Sequence, residues 1–256
     1  MRNALTIARR ELNSYFTSPI AYILLAMFAV LFGYFFFSAV AFFVSYSARA
    51  AMQGGGMGPM NVNQYIVQPT FGNLTIILLF LTPMITMRLF AEEKRTGTME
   101  LLMTSPVRDY EIIVGKWLAG MLLYSVMLGS TAISILVLFV YSTPDWQALL
   151  VGYLGLLLMG GTFLAIGAFI STLTKNQIVA GALTFGVFLV LYVLDWVNAY
   201  STSTLGKVCQ YLSVAPHFQQ FAKGVIELKD VVYYVSAIGL GLFLSKRSLE
   251  SLRWKA

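Results

Sequence analysis

The sequence predicts an all-α integral membrane protein with six transmembrane helices, and three observations carry that prediction. Hydrophobic residues make up 58% of the 256 and charged residues only 11%, against about 25% charged in a soluble domain. Mean hydropathy is +0.76. Several apolar runs exceed the roughly 18 residues that mark a bilayer-crossing helix. A lone cysteine, Cys209, excludes an internal disulfide and a thiolate metal cluster within one chain.

Residues 1–19 do not form a span. Leu5, Ala8, Leu12 and Phe16 recur at helical spacing, with Arg2, Arg9, Arg10 and Asn13 on other faces. That pattern predicts a helix lying in the membrane interface, ended at Pro19. The first span is predicted over 20–45. A secretory signal would also place arginines before an apolar run and a small-x-small site, Ala48-Arg49-Ala50, after it. The run of 26 residues is far beyond the ~7–15 of a signal core. Gly54, Gly55, Gly56 and Gly58 follow without a Lys-Ser or Lys-Thr pair, so they read as a connector and no phosphate loop.

The second span is predicted over 69–88. It contains Pro83, which removes one backbone hydrogen bond and is tolerated where neighbours compensate. The third covers 116–141, closed by the turn Ser142-Thr143-Pro144-Asp145. The fourth covers 147–171, where Gly152, Gly155, Gly160, Gly161, Ala165, Gly167 and Ala168 suit close helix approach. The fifth covers 178–196 after the polar turn at 174–177. The sixth, 231–244, is only 14 residues, about 21 Å at ~1.5 Å per residue. It must be extended at an end or supported by its neighbours to cross ~30 Å of hydrocarbon. Residues 197–230 are too apolar for a hydrated loop. Val208, Tyr211 and Leu212, then Phe218, Phe221 and Val225, predict two short helices that dip into the membrane. His217 is the single histidine; alone it makes a poor metal site, and a surface or interfacial place is expected for it.

Lysine and arginine set the orientation. With both ends inside, 13 of them fall in inside segments and four (Arg49, Lys207, Lys223, Lys229) outside. The positive-inside bias therefore puts both termini and the segment 90–115 in the cytosol. Residues 90–117 carry nine of the chain's 28 Lys, Arg, Asp and Glu residues. Gly97 suits a left-handed helix end, Thr98 a new cap, and Ser105-Pro106 another helix start. Asp109 and Glu111 then suit a first turn. Between them Met99, Leu101, Leu102 and Met103 make a short apolar helix. It either lies back on the membrane interface or plugs into a groove on a soluble partner.

The run "EEKRTGTMELLMTSPVRDYEIIVGK" resembles the cytosolic loop of ABC-2 type transporter permeases, particularly a gliding-motility-like branch. The resemblance covers essentially the whole chain as a single domain, 1–256. It implies that the loop holds a coupling helix between spans two and three, and that the segment before span six re-enters the membrane. The coupling helix would dock on a separate ATPase through Thr98, Met99, Glu100, Leu101, Leu102, Met103 and Ser105. Glu92, Glu93 and Arg95 would support it, with Arg9 and Arg10 near the same interface. No G-x-x-x-x-G-K-[ST] is present, so ATP and Mg would be bound by the partner, and the chain itself needs no cofactor.

Further implications are a second permease copy or a related permease as dimer partner, a place in the cell's inner membrane, and a substrate path lined by spans two and five. Candidate lining residues are Thr75, Phe80, Thr82, Thr86, Thr184 and Phe188. Export driven by ATP is the expected function. A non-transporting anchor that transmits motion from the same type of ATPase is the alternative, since it would need the same coupling helix. An intramembrane enzyme is disfavoured because Glu92-Glu93 lies outside the spans and His217 has no partner histidine. Proton or ion coupling is disfavoured because the spans carry few ionisable groups.

Overall fold

The structure is a computed structural model that describes residues 2–52, 61–100, 107–200 and 204–253. Its elements in chain order are α1 (Arg2–Thr17), α2 (Pro19–Met52), a π-helical turn (Asn63–Val67) running into α3 (Gln68–Thr86), α4 (Ala91–Thr96), α5 (Asp109–Tyr141), α6 (Trp146–Leu173), α7 (Gln177–Tyr200), α8 (Thr204–Leu212), α9 (Val214–Ala222) and α10 (Leu228–Arg253). The described residues include no strand. Six helices are long and apolar enough to cross a membrane: α2, α3 with its flanks, α5, α6, α7 and α10. With an even number of crossings both termini lie at one end, here called proximal. Leu249, near the end of α10, packs there in one cluster with Leu89, Phe90, Met99 and Ile112.

Helix α6 is the centre of the bundle. It packs along α10 and against α3, α5, α7 and α9. Its small residues make this possible. A Cβ on Gly160 would stand 2.2 Å from the Tyr124 ring of α5, and one on Gly167 would stand 2.4 Å from Thr86 Oγ1 of α3. A Cβ on Gly161 would meet Ile238 of α10 at 3.0 Å, and Gly241 of α10 lies equally close over the backbone of Ala165. Tyr124 fills the notch at Gly160, fully buried, and donates its hydroxyl to Leu156 O at 2.8 Å. Such small-residue contacts suit membrane helices, where packing replaces hydrophobic exclusion of water.

Several boundaries differ from the sequence reading for physical reasons. α10 runs 26 residues, well past 231–244 at both ends. Its last turns are amphipathic: Leu249 is buried, and Lys246 and Arg247 pair with Glu250 at 3.3 and 3.1 Å. α5 begins at Asp109 instead of at Ser105-Pro106, because Arg108 is extended (φ −76°, ψ 141°) in the N-cap place. Gly97 ends α4 at φ +76°, the left-handed position that glycine occupies without a Cβ penalty. On α1 the packed face is set by Ala4 and Ala8, while Leu5 is exposed. A Cβ on Gly115 would meet Ala4 O at 2.8 Å, so α1 lies tight against α5.

Candidate functional site: a charged node at the proximal end

Four elements meet under the segment that leaves α3. At its centre is Lys116, one of the first residues of α5, with a side chain only 2% exposed. Its Nζ lies 3.0 Å from Glu11 Oε1 of α1 and 3.0 Å from Glu93 Oε1 of α4. The Phe90 ring lies 5.4 Å below the ammonium. An ion taken out of water this way is tolerated only if its partners are close and well aimed. One cation here holds two carboxylates, and each belongs to a different element. Glu93 Oε2 is buried with no hydrogen-bond partner among the described residues.

The bend between α3 and α4 is tied to α6. Ser171 Oγ accepts from Phe90 N and Ala91 N at 3.1 and 3.0 Å and donates to Met87 O at 3.3 Å. A new helix start leaves its first N–H groups without intrahelical partners, and Ser171 supplies one from another helix. Lys94 Nζ donates to Thr172 O on the same turn of α6. Arg88 bridges the bend with a two-point bond to Glu92, at 3.0 and 3.2 Å. Asn3 of α1 donates to Glu111 Oε2 at 3.0 Å, and the same carboxylate accepts from Arg108 N at 3.4 Å. Tyr15 of α1 packs against both hydrophobic clusters. Burial of its phenol raises its pKa above the ordinary tyrosine value, and the Glu11 carboxylate adds to the shift.

The node therefore makes α1, the start of the loop, α5 and the end of α6 one connected body. No group of three His, Cys, Asp or Glu suited to a metal occurs among the described residues. A displacement of α4 must move α1 and α5 with it or break the buried ion pairs.

The chain matches the family model described as ABC-2 family transporter protein over residues 5–223. It belongs to the ABC-2 family. ABC-2 permeases are membrane transport components without ATPase activity of their own, and they generally work with an ABC ATPase. This ABC-2 chain is accordingly a multi-pass membrane protein and a permease component of an ABC transporter. A search of curated proteins gives no match.

The residues singled out in the sequence are distributed unevenly around the node of this permease. Glu93 is in it and Glu92 is paired beside it, whereas Arg9, Arg10, Arg95, Thr98 and Glu100 are exposed around it. Thr98 Oγ1 lies 2.9 Å from Thr96 Oγ1. Met99 is buried against Leu89, Phe90 and Leu249, so it anchors the loop to its own chain. Leu101, Leu102, Met103 and Ser105 lie outside the described residues. Of the candidate path residues, Thr75, Thr82, Thr86, Thr184 and Phe188 are buried and only Phe80 is exposed. The four threonine hydroxyls bond back to their own helices, and Phe188 stacks on Phe163 at 4.3 Å. Within one chain these five are packing groups. Phe80 packs on Phe185 of α7 at 4.9 Å.

Lys116, Glu11 and Ser171 escaped the sequence reading. A lysine in the first turns of an otherwise apolar helix was the available signal, because such a charge requires a partner. His217 also departs from expectation. It is buried, bonded through Nδ1 to Asp230 Oδ1 at 2.6 Å and through Nε2 to Tyr211 O at 2.9 Å. Its ring stacks on Tyr233 at 4.0 Å.

Proposed function

We propose that this permease is the membrane half of an ATP-driven exporter in the cell's inner membrane. Its termini and the loop after α3 face the cytosol, as the positive-inside distribution of Lys and Arg favours. A separate ABC ATPase docks on the loop through Thr98, Glu100 and residues 101–105. Arg95, Arg9 and Arg10 form an exposed basic rim around that contact, and Met99 fixes the loop from beneath. The observation that carries the reading is the buried Lys116, clamped between Glu11 and Glu93. That clamp turns a push on α4 into movement of α1 and α5.

Two permease chains work together, either two copies or this chain with a related one. The path between them runs along the exposed edge of α3, where Ile76 and Phe80 stand out, beside α7. Apolar and aromatic walls of this kind favour an amphipathic or lipid-like substrate over a bare ion.

The test is purification of tagged protein from its native membrane in mild detergent. A soluble protein with a Walker A motif should copurify at about one per permease chain. Glu100→Lys and Leu101→Asp should release it while the permease stays folded. Retention of the ATPase by both variants would overturn the docking assignment. ATPase activity of the complex that responds to no amphipathic substrate would overturn export.

A further inference from the structure

The distal end, opposite the termini, holds a polar cleft of about 380 Å³ between α8, α9 and the start of α10. That volume lies within the ~300–1,000 Å³ usual for small-molecule sites. Its floor is Asp230, 1% exposed, whose Oδ1 is bonded to His217 Nδ1 and whose Oδ2 is buried with no hydrogen-bond partner among the described residues. The hydrogen positions follow from the partners. His217 Nε2 faces a carbonyl oxygen, so that nitrogen must carry a proton. The proton shared between Nδ1 and Oδ1 sits on one or the other. In either case Oδ2 carries none and can only accept. A buried acceptor left without a donor is unfavourable, and Asp230 lines the cleft, so a donor that enters the cleft and shifts the cover over Oδ2 would be held there.

The rest of the cleft has the opposite character. Lys207 and Lys229 line it, with the amides of Gln210, Gln219 and Gln220. Lys229 reaches Glu227 at 2.5 Å with both side chains well exposed, a weak surface pair whose ammonium can turn to a phosphate in the cleft. The surrounding segment exposes Val208, Leu212, Ile226 and Leu228. Such side chains on short helices at the end of a membrane bundle place the cleft among lipid headgroups.

We infer that this cleft binds a phosphate ester bearing a primary amine, the chemistry of an ethanolamine phospholipid headgroup. The phosphate is held by Lys207 and Lys229 and the amine donates to Asp230 Oδ2. Two of the three bonds are made between full charges, the strong class of hydrogen bond. The site is independent of the docking loop and of any transported substrate, so it does not rest on the export reading.

Choline headgroups carry the same phosphate and the same positive charge but no N–H, and glycerol headgroups carry no amine. The experiment is lipid exchange onto the purified full-length protein, read by native mass spectrometry, with phosphatidylethanolamine, phosphatidylcholine and phosphatidylglycerol in competition. Phosphatidylethanolamine should be retained about ten-fold or more over both others, the ratio expected for one hydrogen bond to a charged group. Asp230→Leu, which removes the acceptor, should abolish the preference. Because that change also touches the His217 pair, the exposed double variant Lys207→Gln/Lys229→Gln supplies a second reading, with phosphatidylethanolamine retention falling about ten-fold. Competition by soluble glycerophosphoethanolamine would assign the site to the free phosphoamine. Binding of the lipid without such competition would assign it to the membrane. Equal retention of the three lipids, an unchanged preference in Asp230→Leu, or unchanged phosphatidylethanolamine retention in the lysine double variant would overturn the inference.

Discussion

Replacing Lys116 by methionine keeps the length of the side chain and removes its charge. The two carboxylates it holds are then left facing each other, with their Oε1 atoms no further apart than about twice the 3.0 Å ion-pair distance. At that separation and an effective dielectric near 20, their repulsion is about 3 kcal/mol. Loss of two charge-assisted hydrogen bonds adds to it. Glu11 and Glu93 keep 19% and 16% exposure, so water relieves part of the cost, and a net loss of about 3 kcal/mol is expected, at the low end for breaking a buried pair. The damage should be local. Hydrogen–deuterium exchange of the protein in detergent should speed up in α1 and in 91–100, while the notched stretch of α6 around Gly160 stays protected. Adding Glu11→Gln and Glu93→Gln removes the repulsion and should recover at least half of the lost protection. Unchanged exchange in Lys116→Met, or a triple variant less protected than the single one, would refute the argument that the ion triad holds these elements together.

Three further outcomes follow from the same geometry. Ser171→Ala leaves Phe90 N and Ala91 N without their acceptor, which should cost about 2–4 kcal/mol and show as faster exchange at 87–94; protection equal to the parent protein would contradict it. Gly160→Ala drives a methyl to 2.2 Å from the Tyr124 ring, so thermal unfolding in detergent should show a loss of about 1–3 kcal/mol, whereas Gly129→Ala, with open space at its Cβ, should show none. Because burial raises Tyr15 above its ordinary value, the unfolded chain loses that proton first. Its contribution is therefore complete below about pH 10 and fades as pH rises past it. Tyr15→Phe should flatten the loss of α1 protection above that pH, and identical alkaline profiles for the two proteins would count against a buried phenol.

What the sequence made legible depended on whether the signal was local. Six apolar runs announce six helices because each must satisfy its own backbone in lipid. Gly97 could be read because a single residue type suits its φ. The extent of α10 could not, since hydropathy stops counting at Ser245 although the helix continues through an amphipathic turn anchored by Leu249. On α1 helical spacing pointed correctly to Ala8 but to Leu5 instead of Ala4 for the packed face, because close approach to Gly115 favours a small side chain that carries little hydropathic weight. Lys116 and Glu11 are 105 positions apart, and nothing local to either predicts the other. The same holds for His217, whose isolation among histidines argued against a metal but said nothing of Asp230 across the turn.

The notches along α6 also impose an order on assembly. α6 is made after α3 and α5, so Phe71, Thr86 and Tyr124 are already present when its glycines arrive to receive them. The recesses at Gly161 and Ala165 face the other way in time, because they are shaped for Ile238 and Gly241 of α10, which are made after α6. Until then that flank of α6 stays open to lipid. In the newborn permease α10 thus closes the central groove and, through Leu249, reaches the cluster beside the charged node in the same step.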